Sequence, residues 1–182
     1  DSDQDKLFND ARRFYNDGSY AIALEKCKIL YNNRLLSSYG KMLFANCYYY
    51  TDQKEIALDI YLSIEDDIEY EYPEDLPDLY YQIGRSFWAT EDYDSALSYL
   101  EKAKVYSKLW GSVQQDIIYI MSFIYHAKGD DYKAEQVLDQ YISQYLSFMD
   151  IRATDCWDKC YTDAFLADLY YTRSLISNSR SD

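Results

Sequence analysis

The 182-residue chain carries 18 Lys and Arg against 32 Asp and Glu, a net charge of −14, so neither nucleic acid nor an anionic membrane is expected as its main partner. It is long enough for one domain with a buried core, and it contains no run of about 18 apolar residues that would insert in a membrane. Five Gly and two Pro suit helices with short connections, while 23 Tyr, seven Phe and three Trp suit helix interfaces or a ligand-facing groove. A Tyr ring buries apolar area and keeps a polar tip.

In chain order, Leu7, Ala11 and Phe14 share a helical face, Gly18 marks a turn, and Tyr20, Ala23, Cys27 and Leu30 share a second face. The pattern returns with Phe44, Ala45 and Tyr48, a glycine-free turn at Thr51-Asp52-Gln53-Lys54, and then Ala57, Tyr61 and Ile64. Glu65 to Asp78 holds both prolines and a run of carboxylates, and it reads as a connecting loop with Asp75 or Pro77 opening the next helix. Two readings of that acidity remain: a solvated loop, or a docking site for a basic partner or a divalent cation. It lacks the ordered Asp/Gly/Glu spacing of a calcium loop.

The clearest pair follows. Leu79, Tyr80, Ile83, Gly84 and Phe87 form one face, Thr90 to Asp94 is a polar turn, and Ala96, Leu97, Leu100, Ala103 and Val105 form the next. Gly84 and Ala96 are poor core fillers in mid-helix, and they make sense where another helix must approach closely. A fourth pair has Ile118, Met121, Ser122 and Tyr125, a turn at Lys128-Gly129-Asp130-Asp131, and then Ala134, Leu138 and Tyr141. Trp157, Tyr161, Ala164, Phe165, Asp168, Leu169 and Tyr171 predict one long amphipathic helix, followed by a frayed tail from Ser177.

These pairs resemble tetratricopeptide repeats, two-helix units with a period of about 34 residues. Tyr80, Ile83, Gly84 and Phe87 fill the large–Leu–Gly–Tyr slots, and Tyr93, Ala96, Leu100 and Ala103 fill the Tyr–Ala–Phe–Ala slots. Ala57 follows Ala23 by 34 residues, Ala96 follows Ala57 by 39, and Ala134 follows Ala96 by 38, which places short insertions in the acidic stretch and near Lys108–Gly111. Asp10, Leu30 and Lys41 depart from the pattern, and no closing proline is present. The resemblance implies an all-α, right-handed α-α superhelix of roughly nine helices. It implies one domain over residues 1–182, with repeats at about 6–35, 36–67, 76–108 and 113–147 and a capping helix at about 151–177, or alternatively a last helix that opens a fifth repeat.

Catalytic chemistry is not expected. His126 is the one His, and there is no nucleophile elbow or phosphate loop. Cys156 and Cys160, four apart on one predicted helix, lack the second pair a structural zinc site needs. Cys27 and Cys47 read as buried, reduced thiols, which fits a reducing, cytoplasmic setting. The chain opens Asp1-Ser2-Asp3 without Met, so a start was removed, and export remains open. No cofactor or metal is expected.

In the family the first helix of each pair lines the concave surface, and ligands are extended peptides or partner helices. Carried over, the concave positions are Phe8, Asn9, Arg12 and Tyr15, then Met42, Asn46 and Tyr49, then Tyr81, Gln82, Arg85 and Trp88, then Tyr119, Phe123 and His126. Rings interleaved with amides and guanidinia suit a peptide. The Lys that opens the chaperone-tail carboxylate clamp of one subfamily is replaced by Phe8, Met42, Tyr81 or Tyr119. Two readings of the set stay open, a peptide groove or packing against neighbouring helices. The expected function is a non-catalytic interaction or scaffold module with a protein or peptide partner. The alternatives are a domain sensing a small ligand, a peptide signal or a sugar, and a structural segment of a longer protein.

Overall fold

A computed structural model describes the backbone of residues 3–106, 112–152 and 156–179 and the side chains of 3–105, 113–147 and 166–178. The described residues hold ten α-helices and no strand. They divide into two compact units, Asp1–Ser107 and Lys108–Asp182. The expected insertion at Lys108–Gly111 lies outside the described residues, as do the side chains of Cys156, Trp157, Cys160, Tyr161, Ala164 and Phe165.

The first unit contains three helix pairs: α1 (Asp3–Asn16) with α2 (Tyr20–Asn32), α3 (Ser38–Tyr50) with α4 (Lys54–Ser63), and α6 (Leu76–Ala89) with α7 (Tyr93–Tyr106). Ala11, Ala23, Leu24, Cys27, Leu43, Phe44 and Cys47 form a shared core of α1, α2 and α3. Cys27 and Cys47 are buried and unbridged, as their apolar positions predict. Burying a Leu or Phe side chain contributes about 1.5–3 kcal/mol, so this core holds the pairs side by side. The small slots work as spacing predicts at Gly84. A Cβ there would lie 2.8 Å from Leu100 Cγ and 3.2 Å from the Leu100 backbone nitrogen, so α6 and α7 touch through the missing side chain.

The acidic stretch is a correction. It is not a loop but a seven-residue helix, α5 (Glu65–Glu71), followed by a 3₁₀ turn (Pro73–Asp75). Ile64 and Ile68 are fully buried, which the run of carboxylates around them masks in the sequence. Glu65 accepts a hydrogen bond from the Tyr99 hydroxyl at 2.9 Å and pairs with Lys102 at 3.4 Å, tying α5 to α7. Asp67 accepts from the Ser38 hydroxyl at the start of α3. Pro77 sits in the first turn of α6, where its missing N–H costs no helical bond. Val105 is a second correction: it is exposed and does not join the α7 core face.

The second unit pairs α8 (Ser112–Ala127) with α9 (Asp131–Arg152), and α10 (Cys156–Ser179) packs on α9. Ile118, Ala134, Leu138, Tyr141, Ile142, Leu169 and Ile176 form its core. Arg173 donates to Asp139 at 3.1 Å and Ser177 to Glu135 at 2.6 Å, fixing α10 against α9. Leu169 faces that core as the amphipathic pattern predicts, but Tyr171 faces solvent.

The four hairpin turns reach the same left-handed backbone by different residues. Gly18 and Gly129 each have φ of 76°, whereas Asp52 and Glu91 each have 63°. That region is open to Gly without penalty and strains other L-residues.

Candidate functional site

A cavity of about 370 Å³ opens in the first unit between α1, α3 and α6, the first helices of its three pairs. α1 contributes Arg12, Tyr15 and Asn16, α3 contributes Tyr39, Met42, Leu43 and Asn46, and α6 contributes Asp78 and Gln82. Helical spacing explains the assembly. Tyr39, Met42, Leu43 and Asn46 fall at i, i+3, i+4 and i+7, and Arg12, Tyr15 and Asn16 at i, i+3 and i+4, so each set lies on one face.

The polar groups of the wall are held by their neighbours. The Tyr61 hydroxyl donates to Asn46 Oδ1, a buried bond that fixes the Asn46 amide. Burial raises the Tyr61 phenol well above its ordinary value, so it stays a donor. Gln82 Nε2 donates to Asp78 Oδ1 at 3.2 Å, one helical turn back, which fixes the Gln82 amide. Its Oε1 is then buried without a hydrogen-bond partner among the described residues. Asp78 is shifted up from its ordinary carboxylate value by burial, against the opposing pull of the Gln82 hydrogen bond and the Arg85 charge. It forms no ion pair among the described residues. Burial also raises the Tyr15 phenol, with the nearby Tyr50 adding to it.

Beside the cavity stands a cluster of rings around Arg85. Its guanidinium lies 4.0 Å from the Tyr49 ring centre, 5.0 Å from Tyr50 and 5.3 Å from Tyr81. Arg85 Nη1 donates to the Tyr50 hydroxyl at 3.2 Å, while its Nε and Nη2 are buried without a partner among the described residues. Tyr50 stacks on Tyr20 at 4.4 Å, and Tyr20 meets Tyr15 edge-on at 5.4 Å. This cation is thus used internally: the rings expected to meet a ligand hold a side chain of the same chain.

The positions expected from the sequence separate into groups. Arg12, Tyr15, Met42, Asn46 and Gln82 line the cavity. Tyr49, Tyr81 and Arg85 form the neighbouring cluster, and Tyr81 and Arg85 are buried. Phe8 packs against the core of α1–α3, Asn9 sits at the surface within 3.5 Å of Arg12, and Trp88 is exposed. In the second unit, Tyr119 packs on the local core and Phe123 is exposed. His126 Nδ1 lies 2.6 Å from Asp131 Oδ1 across the α8–α9 turn. That bond ties His126 to its own hairpin.

Asp78, Asn16, Tyr39 and Leu43 complete the wall and were not expected. The available signal for Asp78 was its spacing: it lies four residues before Gln82 and seven before Arg85, on one face of α6. Its place in an acidic stretch read as loop hid it.

Helix pairs that present their first helices to a shared cavity define a helix-hairpin repeat protein. No family model matches the sequence, and no curated protein matches it. Among solved structures, nearly identical TPR-like repeats from Podosopora anserina superpose with a TM-score of 0.68 at 15% identity, covering 97% of this chain and 89% of theirs. A MamA structure, MSR-1 C2, gives a TM-score of 0.65 at 11% identity over 100% of both chains. TTC0263, a thermophilic TPR protein of Thermus thermophilus, gives 0.56 at 14% identity over 90% of this chain and 99% of that one. The chain therefore has the all-α tetratricopeptide-repeat-like solenoid fold. This fold is commonly a protein-interaction scaffold and typically non-catalytic. Among the described residues no helix is long and apolar enough to cross a membrane, and no cluster of metal-ligating side chains occurs.

Proposed function

We propose that the protein is a non-catalytic interaction module that binds a peptide segment of a partner at the α1–α3–α6 cavity. One observation carries the reading: three successive first helices bring the Asn46 and Gln82 amides and the Tyr15 and Tyr39 rings to one cavity. An extended peptide offers alternating N–H and C=O groups and needs both donor and acceptor, together with apolar area for its side chains. The internal use of Arg85, Tyr49 and Tyr81 narrows the contact surface to the cavity and its rim. In this reading the chain is one domain of four repeats and a capping helix, and the cavity belongs to the first three repeats.

The test is selection of a displayed random-peptide library on the wild-type protein, followed by affinity measurement on two variants. Met42→Trp places a large ring in the cavity, and Tyr70→Ala alters a side chain that is 89% exposed on α5. Selected peptides are expected to lose binding on Met42→Trp and keep it on Tyr70→Ala. Equal binding to Met42→Trp and wild type would remove the cavity from the reading.

A further inference from the structure

We propose that the cavity takes a basic side chain, a lysine or arginine of the bound segment, against the Asp78 carboxylate. This inference rests on the peptide reading above and names the residue class that reading leaves open.

The wall carries one anionic group. Among the described residues Asp78 is the one carboxylate lining the cavity, and it accepts a single hydrogen bond, from Gln82. It is half-buried and forms no ion pair among the described residues. A half-buried carboxylate without an ion pair is stabilised by a group that donates several hydrogen bonds and carries positive charge. An ammonium or guanidinium does both. An acidic side chain adds a second carboxylate and no donor, and an apolar one displaces water from the carboxylate without replacing its hydrogen bonds.

The shape of the site suits the whole basic side chain. Met42, Leu43 and the Tyr15 and Tyr39 rings offer apolar surface to its methylene stem, and the rings also attract a cation. Among the described residues two cations belong to the neighbourhood, and neither forms an ion pair with Asp78, although the Arg85 charge acts on it. Arg85 is held among Tyr49, Tyr50 and Tyr81 and does not line the cavity. Arg12 lines the cavity but is exposed and points its Nη2 to Asn9. The chain's net charge of −14 favours encounter with basic segments over acidic ones.

The probes are four blocked pentapeptides, Ac-Ala-Ala-Xaa-Ala-Ala-NH₂, with Xaa as Lys, Arg, norleucine or Glu. The readout is the side-chain amide NMR signals of Gln82 and Asn46 during titration at low salt, on wild type and on Asp78→Asn. Asn keeps the acceptor for Gln82 Nε2 and removes only the charge. The Lys and Arg peptides are expected to move both signals and to bind at least about tenfold tighter than norleucine, with the preference lost in Asp78→Asn. A norleucine or Glu peptide binding as well as Lys, or an unchanged preference in Asp78→Asn, would overturn the basic-residue assignment and leave the peptide cavity standing. No perturbation by any of the four peptides would overturn the assignment together with the reading beneath it.

Discussion

The first helix of the third pair, α6, and its counterpart α8 in the second unit follow one sequence template and do different jobs. Gly84 and Ser122 occupy the same small slot. At Gly84 the partner helix comes so close that even a Cβ collides with Leu100. At Ser122 a Cβ and a hydroxyl fit in a fully buried position, and the hydroxyl donates back to the Tyr119 carbonyl at 2.8 Å. One position further, Arg85 is buried and stacked on tyrosines, whereas Phe123 is exposed. The α6 template serves internal closure beside a cavity, and the α8 template leaves an apolar ring in solvent. A slot in a repeat therefore fixes the helix path, and the residue in it decides whether that face is closed or offered.

The contrast breaks most strongly at the small slot. Gly84→Ala should destabilise by about 1–3 kcal/mol, because Leu100 is fully buried and its backbone nitrogen cannot retreat. Ser122→Ala should stay within about 1 kcal/mol, since it removes only a local hydrogen bond. Urea titration of both variants measures the difference, and equal losses would end the claim that α6 and α7 are the tighter pair. Arg85→Ala should come next at about 2 kcal/mol, through loss of ring contacts that are desolvated, partly offset by removing two unpartnered donors. Phe123→Ala should stay within about 0.5 kcal/mol. A near-neutral Arg85→Ala would show that its orphaned nitrogens cost as much as its stacking contributes.

Helix faces and turns were legible because small and large residues recur at the repeat period, and each recurrence checks the last. Ala11, Ala23, Ala57, Ala96 and Ala134 are all fully buried, as that recurrence requires. Features outside the period were not legible. Two isoleucines, Ile64 and Ile68, decide that the acidic stretch is a packed helix, and four residues of spacing are too few to outweigh the surrounding carboxylates. In the site, periodicity gave the lining of α1, α3 and α6 but not the fate of each polar group. Whether Arg85 faces a ligand or Tyr49 depends on contacts between repeats far apart in sequence. The same is true of Asn46, oriented by Tyr61 of the following helix.

The turns sharpen the comparison at smaller amplitude. The α6–α7 turn holds Glu91 at φ 63°, and the α8–α9 turn holds Gly129 at φ 76°. Gly129→Ala meets no atom within 4 Å, so its cost is backbone strain alone, about 1 kcal/mol. Glu91→Gly should act in the opposite sense, stabilising by up to about 1 kcal/mol through relief of the same strain, less the entropy Gly adds to the unfolded chain. Thermal melts of the two variants read both signs. Melting temperatures that move in the same direction would show that the two turns are not equivalent.

The smallest effect is a slope, and it links stability to the cavity. Burial raises the Asp78 carboxyl in the folded protein, so between its ordinary value of 3.8 and the higher folded value the native state holds a proton that the unfolded chain has released. Stability therefore falls as pH rises through that window, and the loss is complete once the folded group has ionised. The opposite sign applies to a carboxylate lowered by an ion pair, such as Asp52 beside Lys54, whose contribution is lost on acidification. Asp78→Asn removes the Asp78 slope and no acceptor. Its melting temperature should match wild type at pH near 3.8, where the carboxyl is still protonated in the folded chain, and exceed it at about pH 7. A variant that is more stable at neutral pH yet loses the Lys-peptide preference would show that the charge on α6 is kept for binding at a cost to the fold. A variant less stable at neutral pH would mean that Asp78 already finds its counter-charge inside the protein, and the unsatisfied carboxylate would vanish from the cavity's chemistry.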